Sequence, residues 1–251
     1  MGTSRLALVT AAAGAGLGQA IARRLAARGD RVVVTDVHAR RTREVATAIG
    51  GDYPSTTVVG YPLDVGDHDA IDCVVDEVVA KLGPIQILIN NAAVDIPGTI
   101  FEYDLADWDR TLAVNLTGPW YLCRRLLPLM RDAGGGVVVN IGSLASEIGG
   151  AGIESPYAVS KGGLHALTRA LARDAGQYGI RAVTLSPGVI GDSRFVLEHP
   201  ETLDLLDAQP VLGSFPTAAE LADAVAFLTS DSARHITGTA LHINGGAYLT
   251  T

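Results

Sequence analysis

Cysteine is scarce: Cys73 and Cys123 are the only two in 251 residues, and they form no C-x-x-C pair. That argues against a disulfide framework and suits the reducing cytoplasm, with two buried free thiols inside apolar helical patterns. The six histidines show neither H-x-x-x-H nor H-E-x-x-H spacing, so no metal site is expected. Positive charge is also short, with 19 Lys and Arg against 27 Asp and Glu, a net charge of -8 and a pI near 5.1. Nucleic acid or an anionic membrane surface would need a basic face, so neither is expected as a partner. No apolar run approaches the roughly 18 residues of a membrane span. Leu6 to Leu17 is apolar, but only Arg5 precedes it as a positive charge and an Arg-rich amphipathic stretch follows directly. A buried strand accounts for it better than a signal peptide. Charged residues make up only 18% of the chain against a usual figure of about 25%, as in a compact protein that hides further surface between subunits.

What is present is a rhythm. Short runs of Val, Ile and Leu recur near 5–10, 31–36, 56–61, 85–90, 136–141, 180–186 and 240–243. Helical patterns fall between them, near 17–28, 40–49, 67–82, 105–131, 155–178 and 217–229. Buried strands alternating with helices predict an α/β fold, a doubly wound parallel sheet covered on both faces. One domain, 1–251, is expected. The segment 191–216 breaks the rhythm with Asp192, Ser193, Arg194 and His199 among apolar residues, and is read as a substrate lid.

The first strand runs into TAAAGAGLG, Thr10 to Gly18, and then into a helix. A strand, a glycine turn and a helix start make an anion site, because free N–H groups and the helix dipole point at a phosphate. Gly16 permits close backbone approach and Gly18 close packing. The second strand, RVVVTD, ends in Asp36, eighteen residues beyond Gly18. An acidic residue about 20 residues past the turn is where a dinucleotide's ribose hydroxyls are bound. Its charge repels a 2′-phosphate, which favours NAD and makes NADP less likely. Arg40, Arg41 and Arg43 read as a solvated helix face.

Tyr157 and Lys161, in SPYAVSK, stand four residues apart at a helix start and share one face. An ammonium beside a phenol lowers the phenol's pKa from about 10 and makes it a usable acid or base. Ser143 ends the preceding strand pattern, fourteen residues before Tyr157, where its hydroxyl could polarise a carbonyl.

These pieces, with LDV at 63–65, NNAA at 90–93, Asn115 in VNLTG, SPG at 186–188 and ITGTALHINGG at 236–246, resemble the single-domain short-chain dehydrogenases/reductases nearly end to end. The resemblance implies a Rossmann-like fold with seven parallel strands and metal-free hydride transfer between a nicotinamide and a secondary alcohol or ketone. It implies Tyr157 as general acid/base, Lys161 as its partner and ribose ligand, Ser143 orienting the substrate oxygen, and Asn115 holding a water in the proton relay. It assigns Thr10, Gly14, Gly16, Leu17 and Gly18 to the pyrophosphate turn, Asp36 and Val37 to the adenosine end, and Asp64 and Val65 to the adenine flanks. Asn91 and Ala92 would brace the sheet beside the cofactor, and Pro187, Gly188, Val189 and Ile190 would line the nicotinamide. The family's habit also implies a homo-oligomer, tetramer or dimer, paired through the helices near 105–131 and 155–178.

The chain departs from the family pattern at the turn. Ala11 stands where glycine is usual, and one extra residue precedes Gly16, which predicts a bulge. Ala93 closes the NNAG-like motif, and Ser193 is offered in place of the usual carboxamide-binding threonine. Substrate contacts are expected from Val94 to Gly98, Leu144 to Ser155 and the lid, and cellular NAD pools favour alcohol oxidation. Two alternatives stand beside this reading: an NADPH-dependent ketone or 3-oxoacyl reductase, and a non-catalytic dinucleotide-binding sensor or scaffold.

Overall fold

Seven strands lie in one parallel sheet in the order β3-β2-β1-β4-β5-β6-β7. They are β1 (Leu6–Val9), β2 (Arg31–Asp36), β3 (Val58–Pro62), β4 (Ile87–Asn90), β5 (Gly136–Ile141), β6 (Ile180–Pro187) and β7 (Ala240–Ile243). The computed structural model describes residues 4–150, 154–193, 196–197 and 209–249. Most of the segment read as a lid, Arg194 and His199 included, lies outside the described residues.

Strand residues alternate between two apolar layers, as the period of two requires. Val32 and Val34 join Ile21 and Leu25 of α1 (Leu17–Ala27), Ile49 of α2 (Ala39–Asp52), and Val225 of the last helix. Val33 and Leu8 join the other layer, with Val75 of α3 (His68–Leu82), Leu122 of α5 (Gly118–Asp132) and Leu171 of α7 (Ser155–Ala175). Between these come α4 (Leu105–Leu112) and the short α6 (Ala145–Ile148); α8 (Ala218–Leu228) is the last helix. Its start carries a reciprocal cap between Thr217 and Glu220. Its C-terminal carbonyls are gripped from below the sheet. Arg5 donates to Thr229 O at 2.6 Å, Arg181 to Leu228 O at 2.7 Å, and Arg28 to Ala226 O, the arrangement the helix dipole favours.

Two expectations are corrected. The helix expected over 105–131 is broken: α4 ends at Leu112, and a π-helical turn, Ala113–Thr117, leads into α5. Pro119 has no N–H to offer the carbonyl four residues back, that of Asn115, so the regular ladder cannot continue there. Gly118 N–H bonds instead to Ala113 O, five residues back. Of the two cysteines, only Cys123 is buried; Cys73 is exposed. It falls off the buried stripe of α3, which runs through Ile71, Val74, Val75 and Val78.

Candidate active site

The strand order reverses direction between β1 and β4, and in open α/β sheets the crevice beyond the carboxyl ends at such a point takes ligands. The loop after β1 is built around Thr10. Its hydroxyl accepts the N–H groups of Asn91 and Ala92, each at 2.9 Å, and so joins the ends of β1 and β4. The Asn91 amide returns to Thr10 O at 2.9 Å and Ala11 O at 3.2 Å. Ala11 takes a left-handed conformation with φ of 50°, as no other non-glycine among the described residues does, a region that glycine enters without strain. A Cβ on Gly18 would lie 2.4 Å from Ala11 O and 2.5 Å from the Asn91 amide nitrogen. Gly18 is thus fixed by packing within the turn.

Gly14 and Gly16 are different. Nothing lies within 4 Å of a Cβ at either position. Gly16 precedes α1, which has no side-chain cap and no acid in its first turn, while Leu17 is buried beneath. The open glycine surface and uncapped N–H groups suit a pyrophosphate. Asp36, nearly buried at the end of β2, accepts Ala13 N–H at 3.3 Å and His38 N–H at 3.2 Å. Arg41 approaches the same carboxylate at 3.4 Å. Arg41 still keeps 47% of its side chain exposed, so it belongs to the solvated face with this added contact; Arg40 keeps to that face too, paired with Glu44. Val37 is exposed beside Asp36. Asp64 accepts Gly66 N–H at 2.9 Å and pairs with Arg110 at 3.1 Å, and Val65 is buried with its carbonyl facing Gly118. Asp64 thus also holds the turn that leads to α3.

Across the crevice, Ser143 follows β5. Its hydroxyl accepts Ala145 N–H at 3.1 Å and is hydrogen-bonded to Tyr157. Lys161 is only 2% exposed, lies 5.4 Å from the centre of the Tyr157 ring and donates to Ile141 O at 2.8 Å. Asn115, fully buried in the π turn, clamps Val94 with both ends of its amide: Val94 N–H donates to Oδ1 and Nδ2 donates to Val94 O, both at 2.8 Å. The same Nδ2 reaches Ser160 Oγ at 3.1 Å, and that hydroxyl donates to Tyr157 O at 2.7 Å. Ser160 gave no sign in the sequence, because a helix serine is unremarked until its partner is known. At the far wall, Pro187 O accepts Leu144 N–H at 2.9 Å and Gly188 N–H donates to Ile243 O at 3.2 Å. Val189 and Ile190 are half-buried. The Ser193 hydroxyl accepts Val196 N–H at 3.3 Å, and Asp192 accepts Ala218 N–H at 2.8 Å.

The electrostatics reverse one expectation. Burial pushes the Tyr157 phenol up to about 12, against the lowering contribution of Ser143, and pushes Lys161 down to about 8. Desolvation opposes charge on both groups and outweighs their proximity. Asp95 pulls Lys161 upward and, with Glu154, adds to the rise at Tyr157. Both acids fall in the segments expected from sequence to contact substrate, Val94 to Gly98 and Leu144 to Ser155.

A phenol, a hydroxyl and a buried ammonium, converging across a crevice from a glycine turn, can move a proton beside a bound dinucleotide. Among the described residues no helix is long and apolar enough to cross a membrane, and no group of three or more His, Cys, Asp or Glu is placed to hold a metal. A sequence profile described as enoyl-(acyl carrier protein) reductase matches residues 11–248. The chain is 34% identical over 246 residues to the 3-oxoacyl-[acyl-carrier-protein] reductase FabG of Escherichia coli, covering 98% of each. It is 36% identical over 246 residues to D-threitol dehydrogenase of Mycolicibacterium smegmatis, covering 96% of this chain and 92% of that one. A gluconate 5-dehydrogenase from Burkholderia cenocepacia, solved with NADP and tartrate, superposes with a TM-score of 0.89 at 28% identity, over 97% of this chain and 94% of the other. The chain belongs to the short-chain dehydrogenase/reductase family. It is an oxidoreductase with a Rossmann-like fold.

Proposed function

We propose that the protein is an NAD-dependent dehydrogenase interconverting a secondary alcohol and its ketone, with Tyr157 as general acid/base. The observation that carries this reading is the meeting of the Ser143 hydroxyl, the Tyr157 phenol and the buried Lys161 ammonium at one wall of the crevice. When bound, the nicotinamide supplies the acceptor or donor of hydride. The residues do the rest. Ser143 orients the substrate oxygen. Tyr157 takes the hydroxyl proton in oxidation and gives it back in reduction. Lys161 spends one N–H on Ile141 O and has two left for the nicotinamide ribose. The Asn115 side chain is spent on Val94 and Ser160, so its place in the relay falls to its backbone carbonyl.

Gly14, Gly16 and the uncapped start of α1 hold the pyrophosphate, Asp36 and Val37 the adenosine ribose, Asp64 and Val65 the adenine flanks, and Pro187 to Ile190 the nicotinamide. Asp36 supports NAD, since a buried carboxylate at the ribose repels a 2′-phosphate. The second reading is an NADPH-dependent ketone or 3-oxoacyl reductase. It is favoured by Arg41 at the Asp36 carboxylate, by the NADP in the gluconate dehydrogenase structure and by the likeness to FabG. The segment 191–216 is assigned as the substrate lid, and the enzyme works in the cytoplasm as a homo-oligomer.

The deciding experiment follows NADH absorbance with a panel of secondary alcohols, with Tyr157→Phe as control. The variant is expected to bind cofactor and lose at least about 100-fold in turnover. Undiminished turnover would refute the acid/base role, and cofactor binding without any turnover by the unmodified protein would leave the sensor reading in its place.

A further inference from the structure

Asp95 and Glu154 come from distant parts of the chain and meet beside Tyr157. Each is positioned by held backbone. Val94, next to Asp95, is clamped by both ends of the Asn115 amide. Glu154 is the residue before α7, three ahead of Tyr157, and its backbone bridges in parallel to Gly98. Gly150 closes over its side chain, where a Cβ would come within 2.6 Å of Glu154 Cγ. The two carboxyl groups are hydrogen-bonded to each other. Carboxylates only accept, so one of the pair carries a proton. The pair lies within electrostatic reach of the reacting groups: Asp95 acts on both Tyr157 and Lys161, and Glu154 on Tyr157. Beside them the Ser155 hydroxyl is shut off from solvent without a hydrogen-bond partner among the described residues.

The cofactor contacts and the proton transfer from Tyr157 leave this pair unused. A carboxylic acid next to a carboxylate offers one donor and one acceptor and keeps a single negative charge. A hydroxyl group presents the matching acceptor and donor, while a substrate carboxylate meets only repulsion. We propose that the Asp95 and Glu154 pair is a second anchor that selects uncharged vicinal diols and polyols, gripping the hydroxyl next to the carbinol that reacts at Tyr157. This rests on Tyr157 being the proton-transfer group. A site built to hydrogen-bond a substrate hydroxyl discriminates strongly against the analogue that lacks it.

The test compares 2,3-butanediol, 2-butanol and 2-hydroxybutyrate, which share four carbons, as substrates of the full-length enzyme with whichever nicotinamide cofactor it uses. The expected kcat/KM for the diol exceeds that for 2-butanol by at least about 10-fold, with the hydroxy acid below both. Asp95→Ala and Glu154→Ala bring the ratio of diol to mono-alcohol to within about 3-fold. Asp95→Asn keeps a donor and an acceptor, so it retains diol preference but improves the hydroxy acid relative to 2-butanol by about 10-fold. Thermal melting and NADH fluorescence check that each variant folds and binds cofactor. The anchor is overturned if the unmodified enzyme takes 2-butanol as readily as the diol, or if the variants change all three substrates by one common factor. Absence of turnover for every alcohol and ketone tried, with either cofactor, would instead remove the dehydrogenase reading beneath it.

Discussion

The Thr10 hydroxyl accepts the backbone N–H groups of Asn91 and Ala92, each at 2.9 Å, and so fastens β1 to β4 where the sheet reverses direction. Thr10→Val keeps the shape and leaves two donors without an acceptor, at roughly 1–3 kcal/mol each. A loss of about 2–4 kcal/mol is expected in urea unfolding, with Thr10→Ser close to the parent. An unchanged midpoint in Thr10→Val would mean that the two N–H groups find other partners.

Ala11 sits at φ of 50°, where a Cβ is strained and glycine is at ease. Ala11→Gly should therefore raise stability by about 0.5–1 kcal/mol, although glycine gains entropy in the unfolded chain. Calorimetry is the check, and a lowered melting temperature would show that the loop needs the methyl group more than it suffers from the backbone.

On the proposed reading, cofactor choice turns on Asp36 and Arg41. Replacing the acid in Asp36→Ser removes the repulsion toward a 2′-phosphate and frees Arg41, now 3.4 Å from that carboxylate. The ratio of kcat/KM for NADP to that for NAD is expected to rise at least about 10-fold. Adding Arg41→Ala should reverse much of the gain. A parent enzyme that already prefers NADP would overturn the NAD assignment.

Lys161 is costly to the fold. Its pKa falls from 10.5 to about 8 through burial, so carrying its charge at pH 7 costs on the order of 3 kcal/mol. Below pH 8 both native and unfolded chains hold the proton, and the full cost applies. Between about 8 and 10.5 the unfolded chain holds more protons, so stability rises with pH. Lys161→Met should thus be more stable than the parent at pH 7 and lose this advantage by pH 10.5, while turnover collapses. Parallel stability curves across that range would refute the assignment.

Burial also holds the Tyr157 phenol protonated, at about 12. That form gives a proton to a carbonyl, whereas oxidation needs it ionised. Alcohol oxidation should accordingly quicken from pH 7 to 10 while ketone reduction, whose acid form stays almost fully populated below 12, remains nearly flat, and initial rates in both directions test the pair of slopes. Oxidation that is flat with pH would exclude the phenol as base.

The sheet could be read from the sequence because its strands are short, apolar and separated by helices. Tyr157 and Lys161 could be read because they share one helix, so four residues of spacing fix their relation. What escaped notice depends on contacts between distant segments. The break at Ala113–Thr117 follows from the missing N–H of Pro119, a local cause that was visible but outweighed by the apolar pattern running through it. Arg41 is one of three solvated arginines, and its contact with Asp36 emerges only once the end of β2 is placed beside it. The rise of the Tyr157 pKa comes from how deeply the phenol itself is buried, which no spacing reports. Asp95 and Glu154 are 59 residues apart in the chain, and nothing in either neighbourhood announces the other.

The grip of Arg5, Arg28 and Arg181 on the end of α8 bears on the order of synthesis. β1 is the first strand to leave the ribosome and lies in the middle of the sheet, yet the carbonyls that close its base belong to residues 226–229. A nascent chain that stops short of them leaves the apolar side of α1 without Leu221 and Val225, its cover in the finished molecule. The dinucleotide half cannot mature ahead of the rest, so acquisition of the native state waits for nearly the whole chain to emerge.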